Sequence, residues 1–268
     1  IQWGLGTQLN PGGIGGFNVG STATVDFTTA GLFTRSNVLN IDVSGNPSQI
    51  LGTLRSSDRS VNLAVANGNG ILVGSGATIT LPAVEFIGAN VGPGQQRDFV
   101  AGNPMLYNFT APVELTVDGN FGTGINRTGY LLVAGAGNVN VTLSQGAQPD
   151  TIDVAAGFSF SKVPFADFGI PVPGQAAVPS VVTLNLLQPG GAPYDPGFAS
   201  DLWTMSYGDI VIGASSVVGG SFAGTWEWTG NLINNGTINS SIGGILNPGV
   251  TGTVTQFLDT DGATPLLF

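Results

Sequence analysis

Residues 37–91 read NVLNIDVSGNPSQILGTLRSSDRSVNLAVANGNGILVGSGATITLPAVEFIGANV, and the fold turns on this stretch. Short runs rich in Val, Ile, Leu and Thr, such as Val61 to Val65 (VNLAV) and Ala77 to Leu81 (ATITL), stop at Gly, Asn or Pro. That is the pattern of strands closing in turns. The turns are Gly-Asn, Asn-Gly and Gly-Ser pairs rather than long hairpin loops. A parallel β-solenoid is built this way: coils of roughly 20 to 30 residues each add a strand to every face. Val, Ile, Leu and Ala then point inward, Gly, Asn and Ser take the corners, and Asn or Thr stack as ladders on neighbouring coils. An antiparallel sandwich also uses short strands and frequent turns, and local pattern alone leaves both architectures open.

Outward from this stretch, Thr22 to Phe27, Val113 to Val117 and Asn138 to Leu143 repeat the strand signature, and sustained helical periodicity is hard to find. Seven of the 16 prolines fall between Pro164 and Pro196. Central strands do not accept such a density, because proline lacks the ladder N–H. Ser180 to Leu187 (SVVTLNLL) inside it still reads as a strand. Strand and Asn-Gly turn character return at Asp209 to Val218 and Gly224 to Ile245. The expected organisation is a solenoid over residues 1–160, a Pro-rich excursion or linker over 161–200, and further β-strands of the same architecture over 201–268.

Composition narrows function. The chain of 268 residues carries Lys+Arg 6 and Asp+Glu 16, with 8% of residues charged and a net charge of -10, where soluble domains carry about 25% charged residues. Mean hydropathy of +0.29 argues against disorder, which combines low hydrophobicity with high charge. The cations Arg35, Arg55, Arg59, Arg97, Arg127 and Lys162 are scattered, so there is no basic stripe to release counterions from nucleic acid. No apolar run approaches the roughly 20 residues of a membrane-spanning helix. Ile1 stands where an initiator would, and the chain is read as a mature product whose signal peptide has been removed. With 0 Cys and 0 His, thiolate chemistry, the usual general base and the commonest metal ligand are all missing. No catalytic residue, cofactor or metal is assigned. The chemistry left rests on carboxylates, Tyr and the single Lys.

Two elements in the opening stretch carry a resemblance. Gly45-Asn46-Pro47-Ser48-Gln49-Ile50-Leu51-Gly52-Thr53-Leu54 is similar to a GNPSxIxGxL element, and Asn67-Gly68-Asn69-Gly70-Ile71-Leu72-Val73-Gly74 to an NPNGIxFG element. Both belong to the haemagglutination-activity domain of the filamentous-haemagglutinin family, the secretion domain of two-partner secreted exoproteins. Gly68 stands where that family has Pro, and Val73 where it has an aromatic residue. The resemblance covers residues 37–91, and Gly129 to Gly135 (GYLLVAG) resembles a later coil. It implies a right-handed parallel β-helix, export across the cell envelope past an outer-membrane transporter, and adhesion or surface display. Read as corners, Asn46-Pro47 starts a turn because Pro47 biases Asn46 toward extended backbone. Gly45, Gly52, Gly68, Gly70 and Gly74 suit corners where a Cβ would clash.

Other candidates have competing readings. Asp259-Thr260-Asp261-Gly262 resembles half of a calcium loop with no later Glu to complete it. Asp150 with Asp153, and Asp195 with Asp201, fit an acid and nucleophile pair of a carbohydrate-active β-helix enzyme. Trp226-Glu227-Trp228 puts both indoles on one strand face, for packing or, with Trp203 and Tyr207, for a sugar platform. Asn108, Asn126, Asn140, Asn235 and Asn239 begin Asn-x-Ser/Thr glycosylation sequons. The termini are apolar, with Ile1, Trp3, Leu5 and Leu9 at one end and Leu266, Leu267 and Phe268 at the other. Repeat proteins need polar caps, and an exposed strand edge templates further pairing. These residues are therefore the expected subunit contacts. The expected function is a secreted, extracellular or cell-surface structural protein that joins copies of itself head to tail into an adhesive fibre or matrix. Surface glycans and an outer-membrane transporter are further candidate partners, with neither nucleic acid nor a membrane span involved. The alternatives are a monomeric two-partner-secretion adhesin and the carbohydrate-active enzyme.

Overall fold

Leu63, Val84, Leu131, Ile152 and Leu202 sit beside one another on successive strands, each at 0 or 1% exposure. They form one inward row of a parallel stack. The computed structural model describes residues 1–4, 15–29, 35–117, 121–122, 124–144, 149–166, 170–171, 177–187, 202–214, 216–219, 226–239 and 253–254. Two parallel sheets run the length of this stack. Sheet A is ordered Gln2–Trp3, Ser36–Asp42, Val61–Asn67, Ala83–Ile87, Tyr130–Gly135, Thr151–Ala156, Leu202–Ser206, Trp226–Trp228. Sheet B is ordered Ser48–Ile50, Ile71–Val73, Val113–Val117, Asn138–Ser144, Ser180–Leu187, Gly208–Ile212, Asn231–Asn234, Thr253–Val254. Every pairing in both sheets is parallel. The described residues are thus a β-solenoid rather than an antiparallel sandwich.

Coil length follows from register. Ser36 lies beside Val61, Leu63 beside Val84, Tyr130 beside Thr151 and Thr204 beside Trp226, steps inside the 20 to 30 residues expected per coil. Two steps are about twice as long: Ala83 to Tyr130 and Ile152 to Leu202. Both long coils carry an insertion at the same corner, where sheet A passes into sheet B. The first holds the helix Pro93–Ala101 and the strand Met105–Tyr107; the second holds Phe160–Lys162 and Ile170–Pro171. Because they leave from one corner they meet, pairing as a three-stranded antiparallel sheet. Pro171 lies on its edge strand, where a missing N–H is tolerated. The helix, absent from the sequence reading, buries only Phe99 and so has almost no apolar stripe. Its signals are Pro93 at the start and Gly102 at φ 69 after the end.

These insertions cover the outer face of sheet A. Phe99, Met105, Tyr107 and Phe109 pack with Ala64, Ala66, Ile87, Leu132, Ala134 and Ala155 in a second core, separate from the solenoid interior. The covered strands are buried on both faces, and their sequences are accordingly near-continuous apolar runs, AVEFI and YLLVAG. Sheet B strands keep alternation instead: Val182, Leu184 and Leu186 are fully buried while Val181, Thr183 and Asn185 are half-buried. Ser180–Leu187 lies within 161–200, so part of that segment is a solenoid strand and part is cover.

Residues 1–4 and 15–27 contribute a partial coil at the N-terminal end. Gln2 and Trp3 pair with Ile41 and Asp42, Val19 with Ile50, and Thr24–Asp26 with Thr53–Arg55. Trp3 packs 5.3 Å from Phe17. Gly52 lies where this coil crosses the next, and a Cβ there meets the carbonyl oxygens of Gly20 and Ala23. Backbone atoms cannot yield, so Gly52→Ala is expected to destabilise the chain by more than about 1 kcal/mol, measured by urea denaturation.

Candidate functional site

Both resemblance elements begin at the A-to-B corner and run on through a strand of sheet B. Asp42 and Asn67, paired in register at the ends of their strands, hold the corner together. Asp42 accepts hydrogen bonds from Phe17 N and Ser48 Oγ (both 2.7 Å) and Ser44 N (2.9 Å). The Asn67 amide donates to Ser48 Oγ and to the carbonyl of Asn46 (both 2.9 Å), and its oxygen accepts from Asn69 N at 2.7 Å. Asp42, Ser48 and Asn67 are buried. Pro47 lies in the turn before Ser48, and Gly45 and Gly70 take φ 84 and 109, conformations open to glycine. Gly68 faces the Asn90 side chain and Gly74 faces Leu51. The polar residues of the two elements thus satisfy one another inside the corner. Asn67→Ala leaves Ser48, the Asn46 carbonyl and Asn69 N short of partners, and is expected to cost about 1–3 kcal/mol in a denaturation series.

Burial alone would raise the Asp42 pKa, but the donors from Ser48, Ser44 and Phe17 outweigh it and hold the carboxyl below its usual range. The depressed value contributes stability that is present above the unfolded pKa, near 3.8, and is lost as pH falls through the folded value. Asp42→Asn is therefore expected to flatten the loss of stability below about pH 4, read from thermal melts across pH.

A second polar group lies between sheet A and its cover. Lys162 Nζ is 2.8 Å from Glu85 Oε1, with both side chains at 0% exposure. Phe165 N donates to the same oxygen at 2.8 Å. The ammonium also donates to the Ala166 carbonyl and sits 4.8 Å from the centre of the Tyr130 ring. Tyr130 donates to Asp153 Oδ2 at 2.7 Å. Burial, followed by the nearby carboxylates, pushes both Tyr107 and Tyr130 well above the usual phenol range. The cluster lies beneath the cover.

Among the described residues no element covers the outer face of sheet B, where Gln49 and Glu114 are exposed and the rest of the outward row is half-buried. Its outward row runs Gln49, Leu72, Glu114, Asn140, Thr183, Val211, Ile233. The flanking rows include Thr142 with Asn185, whose amide donates to the threonine hydroxyl at 3.2 Å. At the N-terminal end a cleft of about 400 Å³ is lined by Pro47, Gln49, Leu72, Pro112, Glu114 and Asn140 among others. Glu114 and Asp209 are the charged residues facing outward from the described strands of this sheet, and no cation accompanies them.

The structure separates other residues singled out from sequence. Asp150 is exposed and paired with Arg127 at 3.0 Å, whereas Asp153 is buried beneath the cover. They are thus not a pair facing a common substrate. Trp226 and Trp228 do share a face, but it points into the solenoid, where both are buried. Trp203 and Tyr207 are half-buried elsewhere, so the four do not make a sugar platform. Asn108, Asn126 and Asn235 are exposed and Asn140 lines the cleft; Asn239 ends the strand Thr237–Asn239. Ile1 is 57% exposed, and its carbonyl accepts from Ile41 N of its own chain at 2.8 Å. Leu5, Leu9, Asp195, Asp201, Asp259, Asp261, Leu266, Leu267 and Phe268 lie outside the described residues. Among the described residues no group of three His, Cys, Asp or Glu side chains comes together, and no helix is long and apolar enough to cross a membrane. Comparison with protein-family models, curated proteins and solved structures finds no match.

Proposed function

We propose that this chain is a secreted structural subunit of a cell-surface fibre or matrix that works by covering its own low-charge surface with further copies. The observation that carries this is the outer face of sheet B. Across seven strands it presents Leu72, Val181, Val211 and Ile233 among Thr, Asn and Gln, with two carboxylates and no cation. A broad face of this kind invites association, and every coil adds a strand to it. The partial coil formed by residues 1–4 and 15–27 leaves a strand edge along which a neighbouring copy adds head to tail. We also take the winding to be right-handed, as strand-crossover-strand connections between parallel strands overwhelmingly are. Export and surface display follow from the resemblance to the filamentous-haemagglutinin secretion domain.

Negative-stain microscopy of the purified chain tests this reading: uniform filaments are expected, and compact single particles at every concentration would contradict it. Deleting residues 1–10 separates the two modes of contact. Loss of polymer assigns growth to the terminal segment, and an unchanged polymer assigns it to the sheet face.

The cleft favours a second reading, a monomeric adhesin. Its volume suits a small ligand, and the amides of Gln49 and Asn140 beside the Glu114 carboxylate suit sugar hydroxyls. Glycan binding that disappears in Glu114→Ala and Asn140→Ala, from a protein that stays monomeric, would favour it.

A further inference from the structure

The only lysine of the chain is Lys162, and it is buried against a carboxylate. We propose that Lys162 and Glu85 join as an intramolecular amide that fastens the cover to sheet A. Glu85 Oε2 is buried with no hydrogen bond of good geometry, the Tyr107 hydroxyl being the polar group beside this carboxyl. The amide repairs this. Its carbonyl oxygen, Oε1, keeps the Phe165 N–H at 2.8 Å, its remaining N–H keeps the Ala166 carbonyl, and Oε2 departs as water.

The surroundings favour the step. As the first step of the condensation, one proton passes from Lys162 Nζ to Glu85 Oε2, which gives the neutral amine and acid that react. The Nζ lone pair adds to Cδ and forms the C–N bond. Negative charge then develops on Oε1, where the Phe165 N–H already points, as an oxyanion donor should. Phe165 holds this N–H in place with φ 60, a backbone conformation uncommon for a bulky residue. A second Nζ proton passes to the Oε2 hydroxyl, the C–Oε2 bond breaks and one water leaves. No oxidant, reductant or cofactor enters the balance. Nζ and Oε1 are held 2.8 Å apart by two elements already packed in place, and this supplies the proximity that such a condensation needs.

Intact-mass spectrometry of the purified full chain tests the proposal. The expected mass is one water, about 18 Da, below that of the sequence. Proteolysis should then release a branched peptide joining Glu85 to Lys162. Glu85→Ala and Lys162→Arg should each restore the full mass, and this readout does not depend on the variants folding. A wild-type mass equal to that of the sequence, with Lys162 recovered in a linear peptide, would overturn the proposal. So would a water loss that maps to any other pair of residues.

Discussion

Lys162→Ala is expected to lower the free energy of unfolding by about 3–5 kcal/mol, read from the urea transition at pH 7. The reason is what the substitution leaves behind. Glu85 stays at 0% exposure between Ala64 and Leu132 on the outer face of sheet A and keeps the Phe165 N–H as a donor, but loses its cation. The cover also loses its charged contact with the sheet, so the second core around Phe99, Met105 and Tyr107 loosens with it. Replacing both partners, Glu85→Leu with Lys162→Met, removes the stranded charge and should recover the ionic part of the loss. An amide between the two adds a contribution that the double variant does not recover. A double variant as stable as the wild type would show that the pair contributes no net stability, and a single variant within about 0.5 kcal/mol of wild type would show that the carboxylate finds water.

Phe86→Ala is the second large effect, expected at about 3–5 kcal/mol. Phe86 is fully buried inside the solenoid, with Val65 on the preceding coil and Val133 on the following one in register beside it. Deleting the ring opens a cavity that stacked strands cannot close, because hydrogen bonding to both neighbours fixes their spacing. Gln49→Ala, on the outer face of sheet B, should stay within about 0.5 kcal/mol. Comparable losses at the two sites would mean that the inward and outward assignments of the strands are wrong.

The interior of this fold is written plainly in the sequence. Leu63, Val65, Ile71 and Val73 alternate with residues that face outward or pack on the second face, and the Gly and Asn turns fall at corners as the stretch 37–91 suggests. Asn62 donating to Asn37 at 3.0 Å is the same-residue ladder that such a stack allows. The cover was harder to see. Its helix spends a single buried side chain, Phe99, and its antiparallel strands come from segments far apart in the chain, which no local pattern connects. A signal existed nonetheless, in the contrast between AVEFI and YLLVAG, apolar at every other position and its neighbour, and the alternating NVNVTL of sheet B. Only strands covered on both sides have reason to lose alternation. Glu85 in the middle of such a run is the one residue that breaks it, and Lys162 is the one lysine available to answer it. The aromatic pair Trp226 and Trp228 shows the opposite lesson. Spacing placed both indoles on one face, but which face points inward is set by the register of the whole sheet.

The charge deficit now has a location. Outward-facing carboxylates are sparse on sheet B and cations are absent from its described strands, while sheet A has its own cover. In the proposed fibre, copies of the chain meet on this face of sheet B, which no described element covers. Sedimentation velocity over a range of concentrations, comparing the wild type with Thr183→Lys/Val211→Lys, tests it most directly, because both residues face outward on adjoining strands and the substitutions leave the interior untouched. Polymers that grow with concentration are expected for the wild type, and a monomer for the double variant. A wild-type chain that stays monomeric at high concentration, or a double variant that polymerises just as readily, would contradict it.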